Sequence, residues 1–256
     1  MSTYCRIQCL GLTRVPLKNW ITTTPLYMHR LIYVLGGEGG YIYDNQKFAF
    51  KKDHLYLIPG FANISTYSSF ESTDKLLYHS YTNFEILPPI ISKSVFVFDP
   101  KSDDGVNAAL NSFNTTCDNC KHNNVRFLEK EELDYHKSTV IYLVKKMLKK
   151  HNVKEVEDPI ILKSLEIMHK NLHLKTTISE IANQCAMSTD GFIRRFSKTM
   201  GETPYSYLKK LKLRTAQSLI DSGATLEEAA AKCAYSDATT LSHAISNMLK
   251  IGPHFR

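Results

Sequence analysis

The sequence predicts an α+β protein of two domains, in which antiparallel β-strands and following helices precede an all-α domain. The length of 256 residues suits two domains that each bury a core. Short apolar runs separated by turn residues continue to about residue 100, whereas helical periodicity and capping signals fill the chain after Pro159. We therefore expect one domain at 1–151, a charged linker at 152–158 and a second domain at 159–256.

The strand prediction depends on turn signals between residues 31 and 59. Runs rich in Tyr, Leu and Ile are broken by the glycines at 36–40, by Asp44-Asn45 and by the charged residues at 51–53. A polar loop that contains Cys117 and Cys120 is expected to follow the β region. The segment 129–151 then reads as one amphipathic helix with cations at its C-terminal end, where the helix dipole favours them.

Composition excludes several classes of protein. Hydrophobic residues at 43% and charged residues at 22% are typical of globular chains, and no apolar run approaches the roughly 18 residues that cross a bilayer. The N-terminus lacks the features of a secretory signal, and six cysteines are too few for a disulfide-rich scaffold. We therefore expect a cytoplasmic protein with no membrane partner.

Positive charge is concentrated in one segment. The chain carries a formal net charge of +7, which favours an anionic partner such as nucleic acid. Between Ser188 and Arg214, two acidic residues accompany a set of seven basic ones, namely Arg194, Arg195, Lys198, Lys209, Lys210, Lys212 and Arg214.

Two stretches of the second half share one pattern, a short helix, a tight turn, a capping residue and a second helix. In the first, a helix over 178–182 precedes a turn at 185–187, and Ser188 caps the next helix. In the second, the helix over 226–230 precedes a turn at Ala234, and Ser236 or Asp237 is the cap. The pattern predicts two helix-turn-helix units joined by a helix that begins at Pro204.

The second helix of the first unit has one apolar face and one polar face. Phe192, Phe196 and Met200 recur every four residues and should pack inward. Basic residues on the other face are either an ordinary solvated surface or a DNA contact. The preceding turn favours DNA, because a helix presented in this way fits the major groove.

The spacing of Ala182, Ser188, Phe192, Arg194, Phe196, Gly201, Pro204 and Leu208 resembles that of the AraC-type bacterial transcription regulators. The resemblance covers about 80 C-terminal residues and continues to Pro253 and Arg256. In the second unit, Ile245 stands in place of the family's usual Phe and Ala234 in place of its Gly. The resemblance implies two units bound in successive major grooves of double-stranded DNA, with the second contributing less affinity. The DNA-contacting residues expected by motif position or exposed face are Asp190, Ile193, Arg194, Ser197, Lys198, Ala238, Thr239, Ser242 and His243.

The N-terminal half is similar to the cupin-like sensor domain of the same family, especially at 31–39 and 53–59. The resemblance implies a β-barrel that binds a small-molecule effector, contact with RNA polymerase, and a homodimer formed through the apolar stripe of the 129–151 helix. Packing of this stripe on the β region of its own chain is the alternative. Gly36 occupies the position of the arabinose-binding member's sugar-contacting Arg, so the ligand residues stay unknown. Tyr33, Tyr41, Tyr43 and His79 could line a barrel, but aromatic residues on strands are more often ordinary core, so we assign none of them to a site.

No cofactor, metal site or catalytic residue is expected. The histidines at 29, 54 and 79 are scattered and form no H-x-H pair, which argues against a metal-binding cupin. Cys117 and Cys120 followed by His122 have the spacing of half a zinc knuckle, but no second C-x-x-C accompanies them.

Three functions remain open at this point. The sequence favours a ligand-responsive, sequence-specific DNA-binding regulator that is not an enzyme. The alternatives are a cupin-type enzyme with a helical accessory domain, and a protein-interaction module whose helix-turn-helix units have lost DNA binding.

Overall fold

The computed structural model describes residues 4–14, 28–60, 64–68, 75–92, 94–120, 125, 128–153, 156–221 and 223–250. Contacts divide the chain into two compact units, Met1–Lys154 and Glu155–Arg256. The predicted linker at 152–158 includes two residues, 154 and 155, that lie outside the described ranges, as do His122, Pro253 and Arg256.

The first unit contains two antiparallel sheets. Its strands are β1 (Tyr4–Arg14), β2 (His29–Gly36), β3 (Gly39–Tyr43), β4 (Gln46–Ala49), β5 (Leu55–Ile58), β6 (Ile64–Ser68), β7 (Tyr78–Leu87) and β8 (Phe96–Phe98). Five strands form one sheet in the order β1-β7-β2-β5-β8, and three form the other in the order β4-β3-β6. The turn predicted at Asp44-Asn45 joins β3 to β4, and both residues have the positive φ that a tight hairpin requires.

Each face of the five-stranded sheet packs in a separate core. One face, with Leu31, Leu55 and Phe84, packs against the helices that follow the strands. The opposite face, with Ile32 and Tyr56, packs with residues of the three-stranded sheet. Side chains that alternate along a strand explain this division, since neighbouring residues point to opposite faces.

The region around Cys117 differs from the prediction. A helix, α1 (Asp104–Asn119), occupies the expected polar loop, and Cys117 is buried on it while Cys120 is the buried C-cap. Val106, Leu110, Phe113 and Cys117 form the buried face of α1. The many Asn and Thr residues between them concealed this periodicity, because such residues are also typical of loops.

The long helix predicted over 129–151 is present as α2 (Lys130–Lys150). Its apolar stripe was expected to pack against a second copy of the chain, and this interpretation is corrected. Val140, Val144 and Met147 are fully buried in the core shared with α1 and the five-stranded sheet. The stripe therefore stabilises its own unit, and the exposed side of α2 presents Tyr135 and Tyr142 instead.

The second unit is all-α, as predicted. Its helices are α3 (Pro159–Lys170), α4 (Ile178–Gln184), α5 (Thr189–Met200), α6 (Pro204–Asp221), α7 (Leu226–Lys232) and α8 (Ala238–Lys250). Helix α6 packs on α5, α7 and α8, so it connects the two pairs α4–α5 and α7–α8. Among the described residues, no helix is both long and apolar enough to cross a membrane.

Candidate nucleic-acid interface

The first helix-turn-helix unit is fixed by local hydrogen bonds at both ends of its turn. Thr177 and Glu180 form a reciprocal capping box at the start of α4. The chain then reverses through Ala186, which has a φ of +55°, and the Met187 amide donates to the Ala182 carbonyl over 3.0 Å. The Ser188 hydroxyl accepts from the Gly191 amide, as its predicted capping role requires.

The second unit repeats this backbone 48 residues later. Thr225 and Glu228 form the capping box of α7, and Ala234 takes the same φ of +55°. The Tyr235 amide donates to the Ala230 carbonyl over 3.0 Å. Ala186 and Ala234 both occupy the left-handed region that favours glycine, so the turn geometry is retained at some cost in strain.

We call α5 and α8, the helices that follow the two turns, the first and second recognition helices. The repeat changes register by one residue between the turn and the second recognition helix. Helix α5 follows its cap Ser188, whereas α8 follows Asp237, whose carboxylate accepts from the Thr240 amide over 2.6 Å. Of the two caps left open by the sequence, Asp237 is therefore the one used. The buried Leu241 then corresponds to Phe192 at a distance of 49 residues.

Helix α5 presents the two faces that its sequence predicts. Phe192, Phe196 and Met200 are buried, and the first two rings meet edge to face with centroids 5.6 Å apart. Asp190, Arg194 and Lys198 are exposed. Arg194 and Lys198 have no ion-pair partner among the described residues, so both cationic groups are available to a ligand at this surface.

Two further predicted contact residues of α5 are only partly exposed. Ile193 retains some accessible surface beside Arg194. Ser197 is half-buried, and its hydroxyl oxygen is buried without a hydrogen-bond partner among the described residues. In this structure the Ser197 hydroxyl is not presented to a ligand.

Arg195 has a structural contact that the sequence reasoning missed. Its Nε and Nη2 atoms donate to the two carboxylate oxygens of Asp158 over 2.7 and 3.0 Å. Asp158, assigned by sequence to the linker, also caps α3 by accepting from the Ile160 and Ile161 amides. The Arg195 hydrogen bonds, followed by those of the two amides, lower the pKa of Asp158. The pair thereby attaches the start of α3 to the first recognition helix.

The seven basic residues between 188 and 214 do not form one surface. Lys210 pairs with Glu202 at 2.8 Å, and the Lys212 ammonium donates to the Leu174 carbonyl over 3.2 Å. Arg214 is buried, and Lys209 is exposed. Lys209 and Lys212 line a groove of about 450 Å³ between the start of α4, α6 and the Ala234 turn, with Tyr205 and Tyr235 among its walls. The cationic part of the predicted interface is therefore mainly Arg194 and Lys198.

The second recognition helix exposes neutral and weakly basic groups. Thr239, Ser242 and His243 are exposed on α8, and Ala238 is partly exposed. Across 238–247, where side chains are described, α8 contains no Lys or Arg. The sequence predicts little positive charge on this helix, and its exposed side chains agree with that prediction.

The described histidines of the first unit form no group that could hold a metal ion. His79 and His136 are buried, and burial lowers the pKa of His79 to about 3 and that of His136 to about 4, the charge of Arg30 contributing at His79. Within the described part of the chain, no three His, Cys, Asp or Glu side chains are placed to hold a metal ion together.

Comparison with known proteins identifies the C-terminal region. A helix-turn-helix domain family matches residues 181–254. The transcriptional regulator AlkR of Acinetobacter baylyi is 31% identical over 100 residues, which are 38% of this chain and 33% of AlkR. An AraC-like transcription regulator of Streptomyces antibioticus is 29% identical over 97 residues, or 38% of this chain and 32% of that protein. The match thus spans about one third of these curated relatives.

Solved structures extend the similarity in fold to nearly the whole chain. ToxT from Vibrio cholerae has a TM-score of 0.59 at 10% identity, covering 99% of this chain and 97% of ToxT. A structure of ToxT bound to an unsaturated fatty acid has a TM-score of 0.60 at 9% identity, covering 98% of this chain and 93% of ToxT. The C-terminal region thus contains a helix-turn-helix domain similar to that of AraC-like regulators, and the fold of the chain is similar to that of ToxT.

Proposed function

We propose that the chain is a transcription regulator that binds double-stranded DNA in a sequence-specific manner through α5 and, more weakly, α8. The observation that carries this proposal is the repeated helix-turn-helix backbone with Arg194 and Lys198 exposed on the first recognition helix. An Arg in the major groove reads guanine edges, while a Lys neutralises phosphate. The predicted contacts at Asp190, Ile193, Ala238, Thr239, Ser242 and His243 belong to the same proposal.

The proposal extends to the first unit, which we take to be a cupin-like sensor of a small organic effector. Its two antiparallel sheets enclose an apolar core, against which the partly buried Tyr41, Tyr43 and Tyr81 pack. The fatty-acid complex of ToxT, a protein with the same fold, supports an effector in this unit. We include in this proposal a homodimer, contact with RNA polymerase and a cytoplasmic location. The proposal requires no enzymatic activity.

Two observations favour the regulator over its alternatives. The cupin-type enzyme requires clustered ligands that the described residues do not provide. A protein-interaction module does not require exposed cations on the helix after the turn. Arg194 and Lys198 are exposed on that helix, which favours DNA binding.

Selection from a random duplex pool with the full-length chain tests the proposal. We expect a consensus of enriched sequences, and an affinity that falls steeply with salt because counterions are released from phosphates. Matched single-stranded DNA is the control. Recovery of a random pool, or an affinity that does not change with salt, would refute sequence-specific DNA binding.

A further inference from the structure

The groove beside α6 has the chemistry of an anion-binding surface. Its walls come from the start of α4, from α6 and from the turn at Ala234, and we call it the α6 groove. Lys209 and Lys212 line it together with Tyr205 and Tyr235, and its described lining includes no Asp or Glu. The α6 groove therefore offers two cations and two phenol hydroxyls to a ligand.

Both lysines have donor hydrogens to spare. Lys209 is exposed and has no ion-pair or hydrogen-bond partner among the described residues. Lys212 donates to the Leu174 carbonyl over 3.2 Å, and one such bond uses one of its three ammonium hydrogens. Burial lowers the pKa of Lys212, so an anion beside it would offset the desolvation of its charge. The carboxylate of Glu180, at the same end of α4, is held by the Thr177 amide over 2.7 Å.

One wall of the α6 groove adjoins the first residue of the first recognition helix. Thr177 and Ile178 form this wall, and the next residue, Ser179, accepts a hydrogen bond from the Thr189 hydroxyl over 3.2 Å. Thr189 is the residue at which α5 begins. In a helix-turn-helix unit the start of the second helix contacts base edges while the first helix crosses the DNA backbone. A duplex read by α5 therefore brings a backbone to this wall.

The opposite wall adjoins the start of the second recognition helix. Ala234 and Tyr235 form it, and they precede the cap Asp237, after which α8 begins. Lys209 and Lys212 are three residues apart on α6 and thus share one helix face between the two walls. The α6 groove consequently spans the distance between the base-reading ends of α5 and α8.

We propose that the α6 groove binds the sugar-phosphate backbone of the DNA between the two major-groove segments, with Lys209 and Lys212 contacting phosphate oxygens. This inference rests on the proposed function, because it requires a duplex bound by both recognition helices. Phosphate contacts position a protein on DNA without reading its sequence. The groove would thereby supply the affinity that α8, which has no Lys or Arg among its described side chains, does not provide, and would fix the spacing of the two read segments.

Duplexes with single neutral linkages test the proposal. A methylphosphonate replaces one charged phosphate oxygen by a methyl group and leaves the base pairs unchanged. Fluorescence anisotropy measures binding of the full-length chain to a selected duplex that carries one such linkage at each position between the two tracts protected in footprinting. We expect at least one neutral linkage in this interval to weaken binding about fivefold or more at 0.1 M salt, since one phosphate contact contributes nearly one power of the salt concentration.

The variant Lys209→Gln assigns the contact. It should bind the unmodified duplex more weakly than the parent by a similar factor, and it should lose less than about twofold at the linkage to which the parent is sensitive, because the charge that meets that phosphate is already gone. Lys212→Gln gives the same comparison for the second lysine. Lys210→Gln is the matched control, because Lys210 pairs with Glu202 at 2.8 Å, and it should keep the sensitivity of the parent. Thermal unfolding verifies that each variant is folded.

Three results would overturn the inference while leaving DNA binding intact. The first is that neutral linkages weaken binding inside the two protected tracts but nowhere between them. The second is that Lys209→Gln and Lys212→Gln are both folded and as sensitive as the parent to every linkage. The third is that both variants bind the unmodified duplex as the parent does, as expected if an acidic protein segment occupies the groove. Failure to select any duplex would refute the regulator itself, and this outcome is known before a modified duplex is made.

Discussion

The two helix-turn-helix units have the same backbone but different surfaces. Thr177 and Thr225 begin equivalent capping boxes, and Ala186 and Ala234 turn with the same φ. Helix α5 then exposes Arg194 and Lys198, whereas the described side chains of α8 include no Lys or Arg. The comparison shows that the residues that form the turn and those exposed on the following helix are independent sets, so one can be retained while the other changes.

The units also differ in how tightly their recognition helices are packed. Phe196 is fully buried and meets Phe192 and Tyr207 with ring centroids 5.6 and 5.7 Å away. Its counterpart, at the 49-residue distance that relates Phe192 to Leu241, is the half-buried Ile245. The first recognition helix is therefore expected to be held more rigidly than the second.

Replacing these packing residues should give the largest effect. Phe196→Ala leaves a cavity in a filled core and should lower the free energy of unfolding by about 3 to 5 kcal/mol. Ile245→Ala removes a side chain that is already partly solvated and should cost less than about 2 kcal/mol. Chemical denaturation of both variants, followed by circular dichroism, measures the difference. Equal losses would show that the packing asymmetry has no energetic counterpart.

Substitutions on the exposed faces of α5 and α8 should give the next largest effect. Arg194→Ala should weaken binding to a selected duplex by about 1 to 3 kcal/mol and relax base preference at one position. His243→Ala, the corresponding change on α8, should have a smaller effect because the described side chains of α8 include no Lys or Arg to attract phosphate. Fluorescence anisotropy with matched and substituted duplexes distinguishes them. A larger loss from His243→Ala would reverse the assignment of the dominant unit.

The attachment of α3 to α5 has no described counterpart on α8 and predicts a pH effect. Asp158→Ala removes a cap and a partner of Arg195 and should cost about 1 to 2 kcal/mol, the ion pair adding little because it is solvent-screened. Asp158→Asn keeps a capping side chain and isolates the contribution of the charge. Because the pKa of Asp158 is lowered in the folded chain, that contribution is present above about pH 4 and disappears as pH falls through the folded pKa.

Unfolding free energies of the parent and Asp158→Asn between pH 7 and pH 2.5 check this prediction. The two curves should converge at the acidic end. A difference that persists unchanged at pH 2.5 would show that the carboxylate charge is not the cause.

The smallest effect should come from Lys198. Lys198→Ala should weaken binding to all duplexes alike and reduce the slope of log affinity against log salt by about 1, as expected for one phosphate contact. Lys210→Ala is a useful control because Lys210 already pairs with Glu202. A base-dependent loss from Lys198→Ala would mean that Lys198 reads sequence.

The sequence predicted local features better than distant ones. The start of α5 was predicted from its cap at Ser188, which acts within a few residues, and the left-handed Gly201 ends the helix in the same local way. Ala182 and Ala230, and likewise Cys185 and Cys233, occupy corresponding places in the two units, and all four are buried. By contrast, Arg195 with Asp158 and Arg30 with Asn83 are separated by 37 and 53 residues, and no periodicity links them.

Two errors have a common physical origin. Amphipathic periodicity indicates that a helix face is buried but not what covers it, so the α2 stripe was assigned to a second copy of the chain although α1 and the sheet bury it. The existence of α1 itself was missed because its polar residues hid the spacing of Val106, Leu110 and Phe113. In both cases, tertiary packing decided what local sequence left open.

Hydroxyl-radical footprinting of the full-length chain on a duplex recovered by selection tests the central claim most directly. Two helix-turn-helix units in successive major grooves should protect two tracts about one helical turn, or 10 base pairs, apart on one face of the DNA. The α5 tract should show the stronger protection, and Arg194→Ala should weaken it selectively. A single protected tract, or two tracts that Arg194→Ala leaves equally protected, would contradict the account of two unequal reading helices.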